Sequence, residues 1–195
     1  MKKKLLTLLA LTGLLFAFKP VADVYSVDVT KSKIEWIGRK VTGTHKGELK
    51  IASGSLNANG KNLTGGSFVM DMTSMSNTDL DAGSGAKLLG HLKSEDFFSV
   101  EKNPTSKFEI TKVTAAGADK VNITGKLTIK GITNEVSFPA TVKQQGTFLV
   151  AVANGVKIDR TKFDIKYGSK SFIEGIGDKA IDDDFELNIN LVAKK

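Results

Sequence analysis

The stretch Val121-Asn-Ile-Thr-Gly-Lys-Leu-Thr-Ile-Lys-Gly-Ile-Thr133 alternates apolar and polar residues, with Val121, Ile123, Leu127 and Ile129 on one side and Asn122, Thr124, Lys126, Thr128 and Lys130 on the other. A period of two marks a strand with one buried face, because successive side chains of an extended chain point to opposite sides. After a turn over Gly131 to Asn134, the alternation restarts in Val136, Phe138, Ala140 and Val142. The two segments are therefore expected to pair as an antiparallel hairpin. One apolar face repeated around a closed sheet makes an apolar interior, and that interior is the main chemical resource of this chain.

Alternating segments recur at Lys33 to Val41, Lys46 to Leu56, Gly66 to Met75, Lys107 to Ala115, Lys120 to Gly131, Glu135 to Gln144, Thr147 to Ile158 and Phe185 to Ala193, with short additions at Tyr25 to Val29 and Phe163 to Tyr167. Their Val, Ile, Phe and Thr content, and the Gly and Asn between them, are those of strands and turns. Between Asn77 and Val100 the period changes: Ala86, Leu88, Leu89 and Leu92 have helical spacing, with Ser84 as the expected N-cap and Asp96-Phe97-Phe98 following. The predicted fold is all-β, an antiparallel lipocalin-like barrel of about eight strands, with this short helical insertion crossing one mouth. Such a barrel either fills with side chains or holds one small ligand.

The chain begins Met1-Lys-Lys-Lys4, continues with the apolar run Leu5 to Phe18, and reaches Lys19-Pro20-Val21-Ala22. A basic start, an apolar run and small residues beyond it predict an export signal over residues 1–22, cut between Ala17 and Asp23, and a single domain over 23–195. The run is shorter than the roughly 20 residues of a membrane-crossing helix, so no stable membrane insertion is expected, and with no cysteine near the cut no lipid anchor is expected either. The expected compartment is the periplasm or the medium. Four of the lysines behind the formal charge of +7 lie in that leader, so a nucleic-acid partner is not implied. With Cys 0 the domain must be held by its core alone.

The search for catalytic chemistry finds little. His45 and His91 are the only histidines and have no metal-ligand spacing. Ser84-Gly-Ala-Lys87 matches a Ser-x-x-Lys pattern without its partner motifs, and an N-cap with an exposed lysine is the favoured reading. Asn77, Asp79 and Asp81 alternate like calcium ligands, but Ala82 and Leu88 stand where an EF-hand needs Gly and Glu. Asp182-Asp-Asp184 reads as a solvated acidic turn. No metal, cofactor or catalytic residue is therefore assigned. Asp159-Arg160-Thr161-Lys162-Phe163 places a guanidinium beside apolar residues, where it could hold an anionic head group or pair with a nearby aspartate.

Several blocks together resemble the YceI-like family of secreted or periplasmic lipid-binding proteins: Ile34-Glu-Trp36 leading into Gly43-Thr-His45-Lys-Gly47, Leu88 to Phe98 followed by Asn103-Pro104 and Lys107 to Ile110, Gly125 to Thr133, and Asp159 to Phe163. Lys162-Phe163-Asp164 departs from that pattern, since family members tend to carry Asp-Phe-Gly there. The resemblance implies an apolar lumen for a long isoprenoid, a quinone-like tail or a fatty amphiphile, with no catalytic residue. On this basis Trp36, Phe68, Phe97, Phe98, Phe108, Leu127, Ile129, Phe138, Phe148 and Phe185 are the expected lumen residues, and Arg160, Lys46 and His91 the expected head-group contacts. The alternatives are a barrel packed solid, acting as a structural or stress-response module, and a lipid-modifying enzyme using Ser84 with Lys87 or His91 with an aspartate. The oligomeric state stays open, a dimer being the alternative to a monomer.

Overall fold

A computed structural model describes residues 22–195. The expected leader, apart from Ala22, lies outside the described residues. The chain runs β1 (Asp23–Val27), β2 (Lys33–Lys40), β3 (Gly43–Asn59), β4 (Asn62–Asp71), α1 (Ala82–Lys93), β5 (Thr105–Ala115), β6 (Lys120–Ile129), β7 (Ile132–Gln145), β8 (Phe148–Asp159) and β9 (Asp184–Lys194). Every pairing is antiparallel, and β3 hydrogen-bonds to β4, so that β2 to β9 close into an eight-stranded barrel. β1 adds no ninth stave. It continues the line of β2, pairing with the far half of the long β3 at Tyr25↔Leu56 and with the end of β9 at Val27↔Ala193.

Residues opposite one another in an antiparallel pair share a face. Ile123 faces Phe138 and Gly125 faces Val136 across β6 and β7, as the alternation requires. The connecting turn differs from expectation: it is Lys130-Gly131, not Gly131 to Asn134, with φ of 51° and 74°. Two positive φ values make the tight mirror-image turn whose twist matches the flanking strands. Lysine gives no sequence signal for that conformation.

Three other elements depart from the sequence reading. β4 ends at Asp71, whose carboxylate accepts from the Thr73 amide at 2.9 Å and its hydroxyl at 2.6 Å, turning Met72–Ser74 into a 3-10 turn instead of more strand. α1 is capped by Asp81, not Ser84, with Oδ1 accepting from Gly83 N at 2.9 Å and Ser84 N at 3.1 Å. The segment Phe163 to Tyr167 forms no strand. A 3-10 turn over Arg160–Phe163 precedes it, capped by the Asp159 carboxylate, and Asp164 stops that turn with φ 57°.

The core has two parts. At the foot, Tyr25, Ala58, Leu63, Leu149 and Ala193 are buried and fill the space between the strands. At the opposite end, α1 and the long 160–183 connection between β8 and β9 lie across the barrel. A smaller cluster of Met72, Met75 and Val100 there receives Trp36, Leu89 and Leu92.

Candidate functional site

Above the packed foot the barrel is hollow. A cavity of about 200 Å³ runs from mid-barrel to the end covered by α1, bounded by inward side chains of β2 to β9. Its wall is built by the period-two pattern: Ile34 and Trp36 on β2, Phe68 and Met70 on β4, Ile123, Leu127 and Ile129 on β6, Leu187, Ile189 and Leu191 on β9. Ser106 is a rare polar side chain among them, itself buried on β5. Arg39, Arg160, Asp182 and Asp184 also reach the wall, and the rest of it offers transfer energy to apolar groups.

Aromatic rings crowd one side, and inward glycines make room for them. Phe108 lies with its ring centroid 6.4 Å from Phe68 and 5.6 Å from Phe138. A Cβ on Gly125 would overlap the Phe108 ring, and one on Gly54 would come 2.7 Å from Phe68 Cδ1. Trp36 is seated similarly against Gly47, with its indole Nε1 donating to the Ser76 carbonyl at 3.1 Å. At the mouth, Phe98 meets Phe185 edge-on at 6.1 Å, and Phe97 is covered by the rings of His91 at 4.9 Å and Tyr167 at 5.5 Å. The tail of α1 fixes this pair, because Phe97 N donates to Ser94 O and Phe98 N to Leu92 O.

The cavity wall thus contains Trp36, Phe68, Phe97, Phe98, Phe108, Leu127, Ile129, Phe138 and Phe185, and leaves out Phe148. Phe148 is in the opposite phase of β8 from the inward Leu149 and Ala151, and Lys31 Nζ stands 5.1 Å from its ring centroid. Placing it in the lumen is corrected by that phase. Sequence reasoning missed Met70, Met72 and Met75, which also reach the wall. Their spacing spans the change from strand to 3-10 turn and so fits no single period.

The three expected head-group residues separate. Lys46 is exposed on β3, next to the inward Gly47, and so points away from the lumen. His91 is at the mouth, its ring edge-on to Tyr167 at 4.6 Å and Nε2 3.3 Å from Asp96 Oδ2. Arg160 is only 3% exposed. Its Nε donates to Asp182 O at 2.9 Å, Nη1 to Ile165 O and Tyr167 O at 2.8 Å each, and Nη2 to Ile181 O at 3.1 Å, with Asp183 Oδ1 3.6 Å away. Burial pulls the guanidinium below its ordinary value, against the opposing pull of Asp183, Asp159 and Asp182. A guanidinium has five N–H groups, and four of them are engaged by main-chain carbonyls in holding the 160–183 connection. Arg160 thus anchors this connection and also reaches the cavity wall.

The remaining candidates also have local partners. Ser84 and Lys87 are exposed on α1. Asp79 accepts from Lys46 N at 2.9 Å and Asn77 Nδ2 at 2.7 Å and meets His45 Nδ1 at 2.9 Å, pinning the 77–81 loop to β3. Among the described residues no group of three or more His, Cys, Asp or Glu is placed to hold a metal, and no helix is long and apolar enough to cross a membrane.

A closed antiparallel barrel with an apolar cavity beneath a helical cap has the shape to enclose an apolar group. The model of the YceI-like domain matches residues 25–193, and the chain belongs to that family. It is 50% identical over 56 residues to a UPF0312 protein of Pseudomonas aeruginosa, a match spanning 29% of this chain and 29% of that relative. A UPF0312 protein of Pseudomonas putida is 41% identical over the same length. Among solved structures, BcnA of Burkholderia cenocepacia superposes with TM-score 0.71 at 23% identity, covering 86% of this chain and 99% of BcnA. A polyisoprenoid-binding domain from Saccharophagus degradans gives TM-score 0.63 at 15% identity, covering 87% of this chain and 97% of that domain. These two likenesses establish a shared fold.

Proposed function

We propose that this protein binds a long-chain amphiphile of the polyisoprenoid type in the upper half of its barrel, without chemical conversion, for carriage, storage or scavenging. The observation that carries this reading is the asymmetry of the core, solid at the foot and hollow toward the mouth. A barrel serving only as a rigid module has no use for inward glycines that seat rings around a void. The name of the Saccharophagus domain, a polyisoprenoid binder of the same fold, supports the ligand class.

Binding follows from burial. Each methylene moved from water onto such a wall contributes roughly 0.8 kcal/mol, so affinity grows with tail length and the wall discriminates head groups weakly. The head stays at the mouth, beside Phe97, Phe98 and Ser106. With four Arg160 donors engaged by main-chain carbonyls and Asp182 and Asp184 reaching the same wall, a neutral head such as a quinone or alcohol suits this mouth better than a phosphate. We further propose that residues 1–22 direct export and are removed, which N-terminal sequencing of the recovered protein tests.

Trp36, the only tryptophan of the chain, lines the cavity and reports on occupancy. Titration with a long-chain prenylquinone should quench its fluorescence saturably, and native mass spectrometry should show one ligand mass retained. An unquenched Trp36 with no retained mass would remove the lipid-binding reading and favour the solid-module alternative.

A further inference from the structure

Among the described residues the large apolar side chains that stand exposed are distributed unevenly. Val24 and Val29 lie along the N-terminal strand and its turn, while Val41, Tyr167, Phe172 and Ile173 belong to turns or connections at the mouth end, where Ile132 opens β7. Phe172 is 55% exposed and Ile173 44%. They are joined to one another by the 160–183 connection. Asn134 Nδ2 donates to Lys162 O at 2.8 Å and Lys130 Nζ to Asp164 O at 3.2 Å, anchoring it to the β6–β7 turn. Val41 N donates to Ala180 O at 3.2 Å, anchoring it to the β2–β3 turn. Phe172 N and Ile173 N both donate to Ser169 O, a tight turn that leaves both side chains exposed.

We propose that this rim docks on the surface of a lipid bilayer, from which the barrel loads. The inference rests on the lipid-binding reading above. A tail that gains roughly 0.8 kcal/mol per methylene inside the barrel loses as much in crossing water, so the mouth must approach a lipid reservoir closely. Exposed apolar patches mark contact sites, and these residues stand at the end of the barrel where the cavity is capped.

The local charges say how it docks. In the connection, Arg160, Lys162, Lys166, Lys170 and Lys179 are offset by Asp164, Glu174, Asp178, Asp182 and Asp183, and Lys166 pairs with Asp164 at 2.8 Å. Lys166 Nζ also lies 5.1 Å from the Phe172 ring centroid. A near-neutral rim is held by inserted side chains and not by attraction to anionic lipid, and an aromatic ring beside a lysine is the pairing that sits well at head-group depth. Binding should therefore depend little on salt or on lipid charge.

The test compares the Phe172→Ser, Ile173→Ser double variant with the parent protein and with Val24→Ser, an exposed position away from the mouth. Uptake of a long-chain prenylquinone is followed by Trp36 quenching from phosphatidylcholine vesicles, and uptake of a short-chain, water-soluble prenylquinone is followed without vesicles. All three proteins carry the same N-terminus, so residues 1–21 contribute equally. The expected result is loading from vesicles slowed about tenfold or more in the double variant, with the soluble route and Val24→Ser unchanged. Unchanged vesicle loading in the double variant overturns the proposal, and so does an equal loss by both routes, which would make the rim part of the binding site. If the parent takes up neither quinone, the lipid-binding reading fails. Sedimentation with plain phosphatidylcholine vesicles still decides docking, which is overturned if the parent and double variant sediment alike. Dissociation of a dimer by the double variant, without loss of vesicle binding, would assign the rim to self-association.

Discussion

Gly125 on β6 is the seat of the Phe108 ring on β5: a Cβ at Gly125 would overlap ring carbons of Phe108 and the Glu109 carbonyl. The glycine that interrupts the apolar series Ile123, Leu127, Ile129 is thus not a gap in the wall. It lets a ring lie flat against the sheet, leaving the axis of the barrel open.

Gly125→Ala should therefore push Phe108 toward Phe138 and into the void. Overpacking of a fitted site costs about 1–3 kcal/mol. Thermal unfolding should show that loss, and quinone titration should show weaker quenching of Trp36 than the stability loss alone explains.

Polar substitutions should separate foot from lumen. Leu149 is fully buried in the foot, and Leu149→Asn removes packing while burying an amide without a partner, a loss of about 3 kcal/mol or more. Ile129→Asn and Phe138→Asn place the amide on a wall beside open space, so they should lower ligand retention before they lower the melting temperature. Unfolding by both, with no separable effect on retention, would mean the upper barrel behaves as packed core.

Arg160 should behave as a structural cation. Removing one partner of a buried charged network typically costs about 3–5 kcal/mol, and Arg160→Gln leaves the carbonyls of Ile165, Tyr167, Ile181 and Asp182 short of donors. Arg160→Lys should recover little, because a point ammonium cannot reproduce the planar fork. Calorimetry measures the loss. Proteolysis should cut first within 165–180, and binding of neutral and charged isoprenoids by the folded fraction should change in parallel.

These contrasts also show what the sequence could and could not say. The barrel was legible because β6, β7 and β9 keep a strict period of two while one face is buried. The aromatic wall followed from the same phase. Phe148 was misplaced because Phe148-Leu-Val-Ala-Val152 is apolar on both faces, so alternation carries no phase there. Capping by Asp81 in place of Ser84 lay within the scatter of helix ends, since both are good caps. Arg160 could not be read at all: its partners are main-chain carbonyls spread over residues 165–182, and a carbonyl has no sequence signature.

Acid should loosen the loop beneath α1. Burial raises the Asp79 pKa, but the Lys46 amide, His45 and Asn77 together outweigh it and hold the carboxyl below its ordinary value of 3.8. A group with a depressed folded-state pKa contributes stability that is present above its unfolded value and is lost as pH falls through the lowered one. The melting temperature of the parent should therefore fall below about pH 4 more steeply than that of Asp79→Asn. Parallel acid limbs would remove Asp79 from the account.

Asp164 occupies a left-handed position, with φ of 57°. The residue ends the 3-10 turn after β8 by entering the left-handed region, with its amide donating to the Thr161 carbonyl at 3.1 Å. Aspartate tolerates that conformation better than most residues, and glycine adopts it freely. Asp164→Gly relieves the strain, loses an exposed ion pair to Lys166, and gains disorder in the unfolded chain. These effects oppose one another, so the melting temperature should stay near that of the parent. Asp164→Val keeps a Cβ and adds branching where φ must be positive, and should lower the melting temperature by about 2–4 °C or more. Equal melting temperatures for the two variants would show that the turn can be closed without the left-handed residue, and the account of this corner of the mouth would fall with it.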